Sequence, residues 1–245
     1  MHSLCIVGTD TDAGKTIITA GVANYLAQKN IKFSVQKWVS TGDKKNFSID
    51  LSFTINSLDA PENTSITKIS NMNIPSNIDY RLLNPFSFKF PASPHLSADL
   101  EKIRINPNKI ISAFLKLQKQ NEFVLVEGVG GILVPINKKT LLIDIIAELN
   151  IPVVIVTKNV LGTINHTLLT INALKNYKIP IVGLIFNNFI KEKKTIMEDN
   201  IKIIHKFSGI PVLGNVPKIR IKKDLLKTFK PIGKNILRYY ERHYK

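Results

Sequence analysis

Cysteine is almost missing from this chain: Cys5 is the only one in 245 residues, so no disulfide can form within it. Cys5 lies in the first apolar run and reads as a core residue. A lone thiol suits a reducing compartment, so a cytoplasmic location is expected. Long hydrophobic runs are missing too. None approaches the roughly 20 apolar residues that span a bilayer, and no membrane role is expected. The amino terminus, MHSLCIVGTD, lacks the basic start and small-residue cleavage site of a signal peptide. No internal repeat and no Gly/Ser-rich linker interrupts the sequence. Residues 1–245 therefore read as a single α/β domain, with a basic tail from about 220.

Acidic residues are scarce. Eighteen Asp and Glu face 34 Lys and Arg, a net charge of +16. That imbalance invites a nucleic-acid reading. The lysines are nevertheless spread along the whole chain, among many Ile and Asn. The densest basic run, 218–245, has no Gly-aromatic interleaving, and zinc-finger and RNA-recognition signatures are absent. Nucleic acid is not expected as the main partner; the charge would help to collect anionic substrates such as ATP.

Apolar residues make up 44% of the chain, which excludes wholesale disorder. They fall into short runs at 4–7, 33–36, 123–126, 152–156 and 181–186, nearly continuous as in strands buried on both faces of a parallel sheet. Helical patterns lie between them, at 15–28, 50–57, 107–118, 141–149, 164–175 and 195–207. Asn106 caps the third, and Pro107 takes its first position, where a missing N–H does no harm. The alternation predicts an open, doubly wound, mainly parallel sheet with helices on both faces, of the phosphate-loop nucleotide hydrolase type. Residues 54–83 lack strong periodicity and read as an irregular excursion from that sheet.

The first strand runs into GTDTDAGKT, from Gly8 to Thr16. A phosphate-binding loop has four residues between its glycines; here five separate Gly8 from Gly14, and Asp10 and Asp12 among them are acidic. The strand–loop–helix context still fits. Backbone N–H groups of the loop and of the helix's first turn would face a phosphate. Lys15 would add a full positive charge, and Thr16 a hydroxyl for Mg²⁺. Gly21 would let the helix approach the sheet closely.

Two further strand ends carry chemistry. FVLVEGVGG ends an apolar strand on Glu127, the way a phosphate-loop protein presents a second metal ligand, and Gly128, Gly130 and Gly131 permit close backbone approach. In QKWVSTGD a strand delivers Lys37, which could reach a γ-phosphate or a transferred group. Asp50 opens the next helix, where it could favour the helix's amino end or share a Mg²⁺ with Thr16 and Glu127.

Taken in order, GTDTDAGKT, KWVSTG, PASPH, VEGVGG, LGTINH and FNN resemble the dethiobiotin synthetase family over residues 4–217. The long loop with its inner T-D-T-[DE] is that family's own variant. The resemblance implies ATP-dependent carboxylation and ring closure of 7,8-diaminononanoate with CO₂ to dethiobiotin, in biotin biosynthesis. ATP would be the co-substrate, Mg²⁺ the metal and a homodimer the working unit. On matching positions it implies that Asp12, Ala13, Gly14, Lys15 and Thr16 hold the phosphates. Thr16, Asp50 and Glu127 would surround Mg²⁺. Lys37, with Lys15, would be catalytic, and Thr41 would touch the substrate. Glu127, Gly128, Val129 and Gly130 would line the crevice. Asn187 and Asn188 would read the adenine, with Pro217, Lys218 and Ile219 closing over it. Gly162, Thr163, Ile164 and Asn165 would open a helix that receives the substrate's carboxylate from the partner subunit. A diamine substrate also suggests a use for the acidic loop: Asp12 and Asp10 would position Mg²⁺ or an amine.

Three features depart from the family pattern. Trp38 stands where members usually have Pro. Asp199 lies near where some place an aromatic residue beside the substrate carboxylate, and the basic tail after Lys218 has no clear counterpart. His95 reads either as a residue near the substrate or as an ordinary loop histidine. The main rival is a partition-type ATPase that binds DNA non-specifically, but such proteins carry a lysine early in the loop, where this chain has Gly8-Thr9-Asp10-Thr11. A cobyrinate-type amidating synthetase needs a glutaminase cysteine, and Cys5 sits in a core strand. A binding domain that has lost turnover would not need to keep Lys15, Thr16, Lys37, Asp50 and Glu127 together.

Overall fold

The computed structural model describes residues 1–43, 47–58, 66–69, 72–75, 79–219 and 222–243. The chain runs through β1 (His2–Gly8), α1 (Lys15–Gln28), β2 (Phe33–Lys37), β3 (Val39–Thr41), α2 (Ile49–Asn56), β4 (Ile66–Ile69), β5 (Met72–Pro75), α3 (Tyr80–Leu83), β6 (Phe86–Phe88), α4 (Pro94–Leu100) and α5 (Pro107–Gln120). It continues through β7 (Phe123–Gly131), α6 (Leu142–Glu148), β8 (Val153–Lys158), α7 (Thr163–Asn176), β9 (Ile181–Asn188), α8 (Lys194–Ser208), β10 (Val212–Pro217) and α9 (Lys222–His243).

Six strands form the main sheet in the order β10-β9-β8-β1-β7-β2, and every neighbouring pair is parallel. Leu4–Val7, Val124–Val126 and Val153–Val156 have no exposed surface, because helices cover both faces of the central strands. Cys5 is among these core residues, and burial pushes its thiol pKa upward, so it is unsuited to be a nucleophile. The strand order reverses around β1, whose neighbours are β8 and β7. Connections leave the carboxyl ends of β1 and β7 in opposite directions, and a crevice opens there. Among the described residues no helix is long and apolar enough to cross a membrane.

The five expected strands and six expected helices all form. The stretch 54–83 holds the end of α2, the antiparallel β4–β5 hairpin and α3, while 59–65, 70–71 and 76–78 lie outside the described residues. Five elements outside that stretch were not foreseen, among them the short β3, β6 and α4. β10 adds an edge strand, and the basic tail is largely α9, with 220–221 and 244–245 outside the described residues. α9 buries Leu225, Phe229, Ile232, Ile236 and Tyr240 and leaves Lys227, Lys230 and Lys234 exposed.

α9 also corrects the reading of Gly21. A Cβ there would lie 2.2 Å from the Phe229 ring, and one at Gly233 would lie 2.2 Å from the Tyr25 ring. The two glycines let α1 and α9 cross with each helix's aromatic ring over the other's backbone, so Gly21 serves a helix–helix contact and not a helix–sheet one. Both rings are closely packed, so Gly233→Ala is expected to destabilise the protein by about 1–3 kcal/mol, despite alanine's better helix propensity. Urea unfolding measures this; an unchanged midpoint would mean that the helices separate at little cost.

Candidate active site

β1 ends at Gly8, and the loop closes on Gly14, whose φ of 93° lies in the left-handed region. A Cβ there would sit 1.9 Å from Asn187 Nδ2, so position 14 is closed to a side chain on both counts. Asn187, at the end of β9, donates from Nδ2 to the Ala13 carbonyl at 3.0 Å and so pins the loop from beneath. Lys15 folds back over the loop, and Nζ donates to the carbonyls of Asp10 (3.1 Å) and Thr11 (3.0 Å).

The acidic residues of the loop separate in role. Asp10 accepts from Lys158 Nζ of β8 at 2.9 Å and from the Thr11 N–H at 2.6 Å. These partners hold its carboxyl below the usual range against a small opposing effect of burial. Asp10 thus ties the lengthened loop to β8, and the expectation that it would position Mg²⁺ or an amine does not fit the structure. Asp12 is exposed and lines the cavity.

That cavity, about 750 Å³, lies over the crevice at the carboxyl ends of β1, β7 and β2. Three oxygens converge inside it. Thr16 Oγ1 lies 2.9 Å from both Asp50 Oδ1 and Glu127 Oε1 and has one proton to share between them. Lys37 Nζ lies 2.7 Å from Asp50 Oδ2 and 2.7 Å from Glu127 Oε1, and 3.2 Å from the Gly128 carbonyl. The Lys37 and Glu127 side chains are 4% and 2% exposed, while that of Asp50 is 40% exposed, so the first two form a buried pair with Asp50 at its rim. Burial works against the charge on Lys37, but the Glu127 and Asp50 carboxylates outweigh it and hold its pKa above the usual value. Glu127 is shifted upward, first by burial, with Lys37 opposing. Asp50 is lowered: burial would raise it, but Lys37 and the Thr16 hydroxyl prevail.

A hydroxyl and two carboxylates within reach of one point are hard oxygen donors of the kind Mg²⁺ takes, the remaining positions going to water and phosphate. Among the described residues no group of three or more His, Cys, Asp or Glu could hold a metal alone. This donor set therefore fits a metal that arrives with a phosphorylated ligand.

Burial pushes the Lys15 ammonium down from its usual 10.5 to about 8, and nearby Lys37 adds to the effect. Its folded pKa lies below the unfolded one, so between these values the unfolded chain binds more protons and stability of the empty protein rises with pH. Binding a phosphate has the opposite dependence, because it needs the proton that the empty site loses. ADP affinity should fall by up to about tenfold per pH unit above about pH 8, with proton uptake on binding. Calorimetric titration in buffers of different ionisation enthalpy checks this; a flat affinity up to about pH 10 would contradict it.

The other expected residues divide in the same way. Gly14, Thr41, Val129, Gly130, Asn187, Pro217, Lys218 and Ile219 line the cavity. Ala13 and Gly128 do not line it; their carbonyls accept from Asn187 Nδ2 and Lys37 Nζ. Asn188 does not line it; its Oδ1 is buried without a hydrogen-bond partner among the described residues. Gly162, Thr163, Ile164 and Asn165 start α7 away from this cavity, where Gly162 has φ 91° and Thr163 bonds to Thr157 at 2.5 Å. His95 lines a separate cleft with Arg104 and Lys139. Ile17, Ile49, Phe53 and Phe189 form an apolar part of the lining that the sequence reading missed. The i, i+4 spacing of Ile49 and Phe53 was the available signal.

A family model described as an AAA domain matches residues 2–223. An ATP-dependent dethiobiotin synthetase from Nitrosopumilus maritimus is 38% identical over 223 residues, covering 90% of each chain. The enzyme of the same name from Thermodesulfovibrio yellowstonii is 35% identical, covering 89% of this chain and 90% of that one. The chain belongs to the dethiobiotin synthetase family.

Solved structures resemble this member of the dethiobiotin synthetase family in fold. A ParA bound to nonspecific DNA gives a TM-score of 0.61 at 13% identity, covering 99% of both chains. A cobyrinic acid a,c-diamide synthase from Mycobacterium smegmatis with ADP and magnesium gives 0.56 at 12% identity, covering 98% of this chain and 96% of that one. Two departures from the dethiobiotin synthetase pattern find a place. Trp38 is fully buried, and its indole N–H donates to Gln36 Oε1 at 2.8 Å, so it packs under the strand end that carries Lys37. Asp199 is exposed on α8, away from this chain's cavity.

Proposed function

We propose that the protein is an ATP-dependent dethiobiotin synthetase acting on 7,8-diaminononanoate and CO₂. One substrate amine attacks CO₂ and loses a proton to give a carbamate. A carbamate oxygen then takes the γ-phosphoryl group of ATP and ADP leaves. The second amine attacks the carbamoyl carbon, phosphate departs with the C–O bond electrons, and the ring closes. The convergence of Lys37, Thr16, Asp50 and Glu127 beside the phosphate loop carries this reading within the structure.

In this reading the loop and Lys15 hold the ATP phosphates, and Lys37 offsets charge on the carbamate and the transferring group. Thr16, Asp50 and Glu127 hold Mg²⁺, which when bound neutralises phosphate charge. With those carboxylates engaged by the metal, the Lys37 ammonium would be free to face the reacting groups. Asn187 and the segment Pro217–Ile219 lie at the adenine end, and Thr41 faces the diamine. The amino end of α7 lies outside this chain's cavity, which supports a homodimer in which 162–165 complete a partner's substrate site.

Phosphate release and product mass with 7,8-diaminononanoate, bicarbonate, Mg²⁺ and ATP test the proposal. Dethiobiotin should form only when all four are present. ATP hydrolysis without it, together with ATP-dependent DNA binding that weakens steeply with salt, would favour the partition-type alternative.

A further inference from the structure

Asp43 is 2% exposed, yet it contacts no substrate cavity and has no ion-pair partner among the described residues. Its carboxylate is instead filled by donors from three separate elements. Oδ2 accepts from Ser40 Oγ of β3 and from Ser87 Oγ of β6 at 2.7 Å. Oδ1 accepts from the Ile49 N–H, the first residue of α2, at 3.1 Å. A carboxylate at a helix amino end also interacts favourably with the helix dipole.

The connections run on to the reacting groups. Ser40 Oγ also lies 3.2 Å from Asn84 Oδ1, and Asn84 Nδ2 donates to the Lys37 carbonyl at 2.8 Å. On the other side Ile49 directly precedes Asp50. Asp43 therefore holds the backbone end of Asp50 directly through Ile49 and reaches the Lys37 side through Ser40 on β3, the strand that follows Lys37 after Trp38; Thr41 comes next on that strand. Tyr80 gives the α2 end a second anchor, its hydroxyl accepting from the Ser48 N–H at 2.7 Å.

We propose that Asp43 is a positioning residue: its buried carboxylate locks β3, β6 and the first turn of α2 into one frame and so sets where Asp50 stands relative to Lys37 and Thr16. The inference rests on the reading of Asp50 as a metal ligand. An amide of the same shape has a single accepting oxygen, so it could accept from Ile49 or from the serine hydroxyls but not from both sides.

Asp43→Asn tests this, with Ser40→Ala/Ser87→Ala as the second variant should the first fail to fold. Two readouts are taken on protein shown by circular dichroism to be folded. The first is the Mg²⁺ concentration that half-saturates the metal-dependent gain in ADP affinity, measured at equilibrium without turnover. The second is kcat and KM for dethiobiotin formation. Partners of metal ligands are worth about 10–100-fold. Half-saturating Mg²⁺ is therefore expected to rise about 10-fold and kcat to fall by a similar factor, with ADP affinity in EDTA unchanged because the loop is untouched. A variant that loses stability in urea but keeps wild-type Mg²⁺ dependence and kcat would overturn the proposal. The ADP arm needs no dethiobiotin chemistry. Failure of the wild type to make dethiobiotin would sink the enzymatic reading and leave the Asp43 test standing.

Discussion

Lys37→Ala is expected to lower the rate of dethiobiotin formation by about 10²–10³-fold, the size of effect seen when a charge-stabilising donor is removed from a reacting centre. Nucleotide affinity should change far less, because the phosphates are held by the loop and Lys15. The same substitution has a second consequence that the structure makes specific. Lys37 is the cation between Glu127 and Asp50, and without it Glu127 is left as an unpaired carboxylate with almost no access to water. Breaking a buried pair on one side costs about 3–5 kcal/mol. The metal-free variant should therefore unfold at markedly lower urea, and Mg²⁺ with ADP should restore much of the loss by taking the place of the ammonium. Steady-state rates and unfolding with and without Mg·ADP check both parts. Normal turnover would remove Lys37 from the site, and a deficit indifferent to Mg·ADP would remove the metal from the argument.

The second large effect is expected at Glu127. Glu127→Gln keeps the shape of the side chain but removes the charge that keeps Lys37 protonated in a buried position. In EDTA the single variant should lose about 3 kcal/mol. Lys37→Met in the same chain removes the orphaned charge, so the double variant should be more stable than the sum of the singles by about 1–3 kcal/mol. A double-mutant cycle in urea measures this, and strictly additive losses would mean that the two groups do not share their burial as a pair. Activity gives an independent reading. Glu127→Gln should need much more Mg²⁺ for half-maximal rate, because one of the two carboxylate donors has become a weaker neutral amide.

The five sheet strands legible in the sequence are those whose pattern is local. A run such as Val153–Val156 is buried on both faces and stays apolar throughout. β10 escaped notice because Gly214, Asn215 and Pro217 break its apolar run, and as an edge strand it is covered only in part. α9 escaped because lysines recur along it and Pro231 sits within it. Its burial stripe is visible only once Phe229 and Tyr25 are seen over the opposing glycines.

The sequence by itself determined the phosphate loop, its place between a strand and a helix, and the strand ends carrying Lys37 and Glu127. These follow from short-range rules: a glycine where φ must be positive, a lysine in the first helical turn, a carboxylate where an apolar strand stops. Tertiary structure alone decided which groups meet. Lys37 and Glu127 are 90 positions apart, Thr16 and Glu127 111, and Asp10 and Lys158 148. Chain-distant charges become partners only when a parallel sheet sets its strand ends side by side and excludes water. The same closure sends Asp10 to Lys158 and leaves Asp12 facing the cavity, a division that no spacing within the loop could settle.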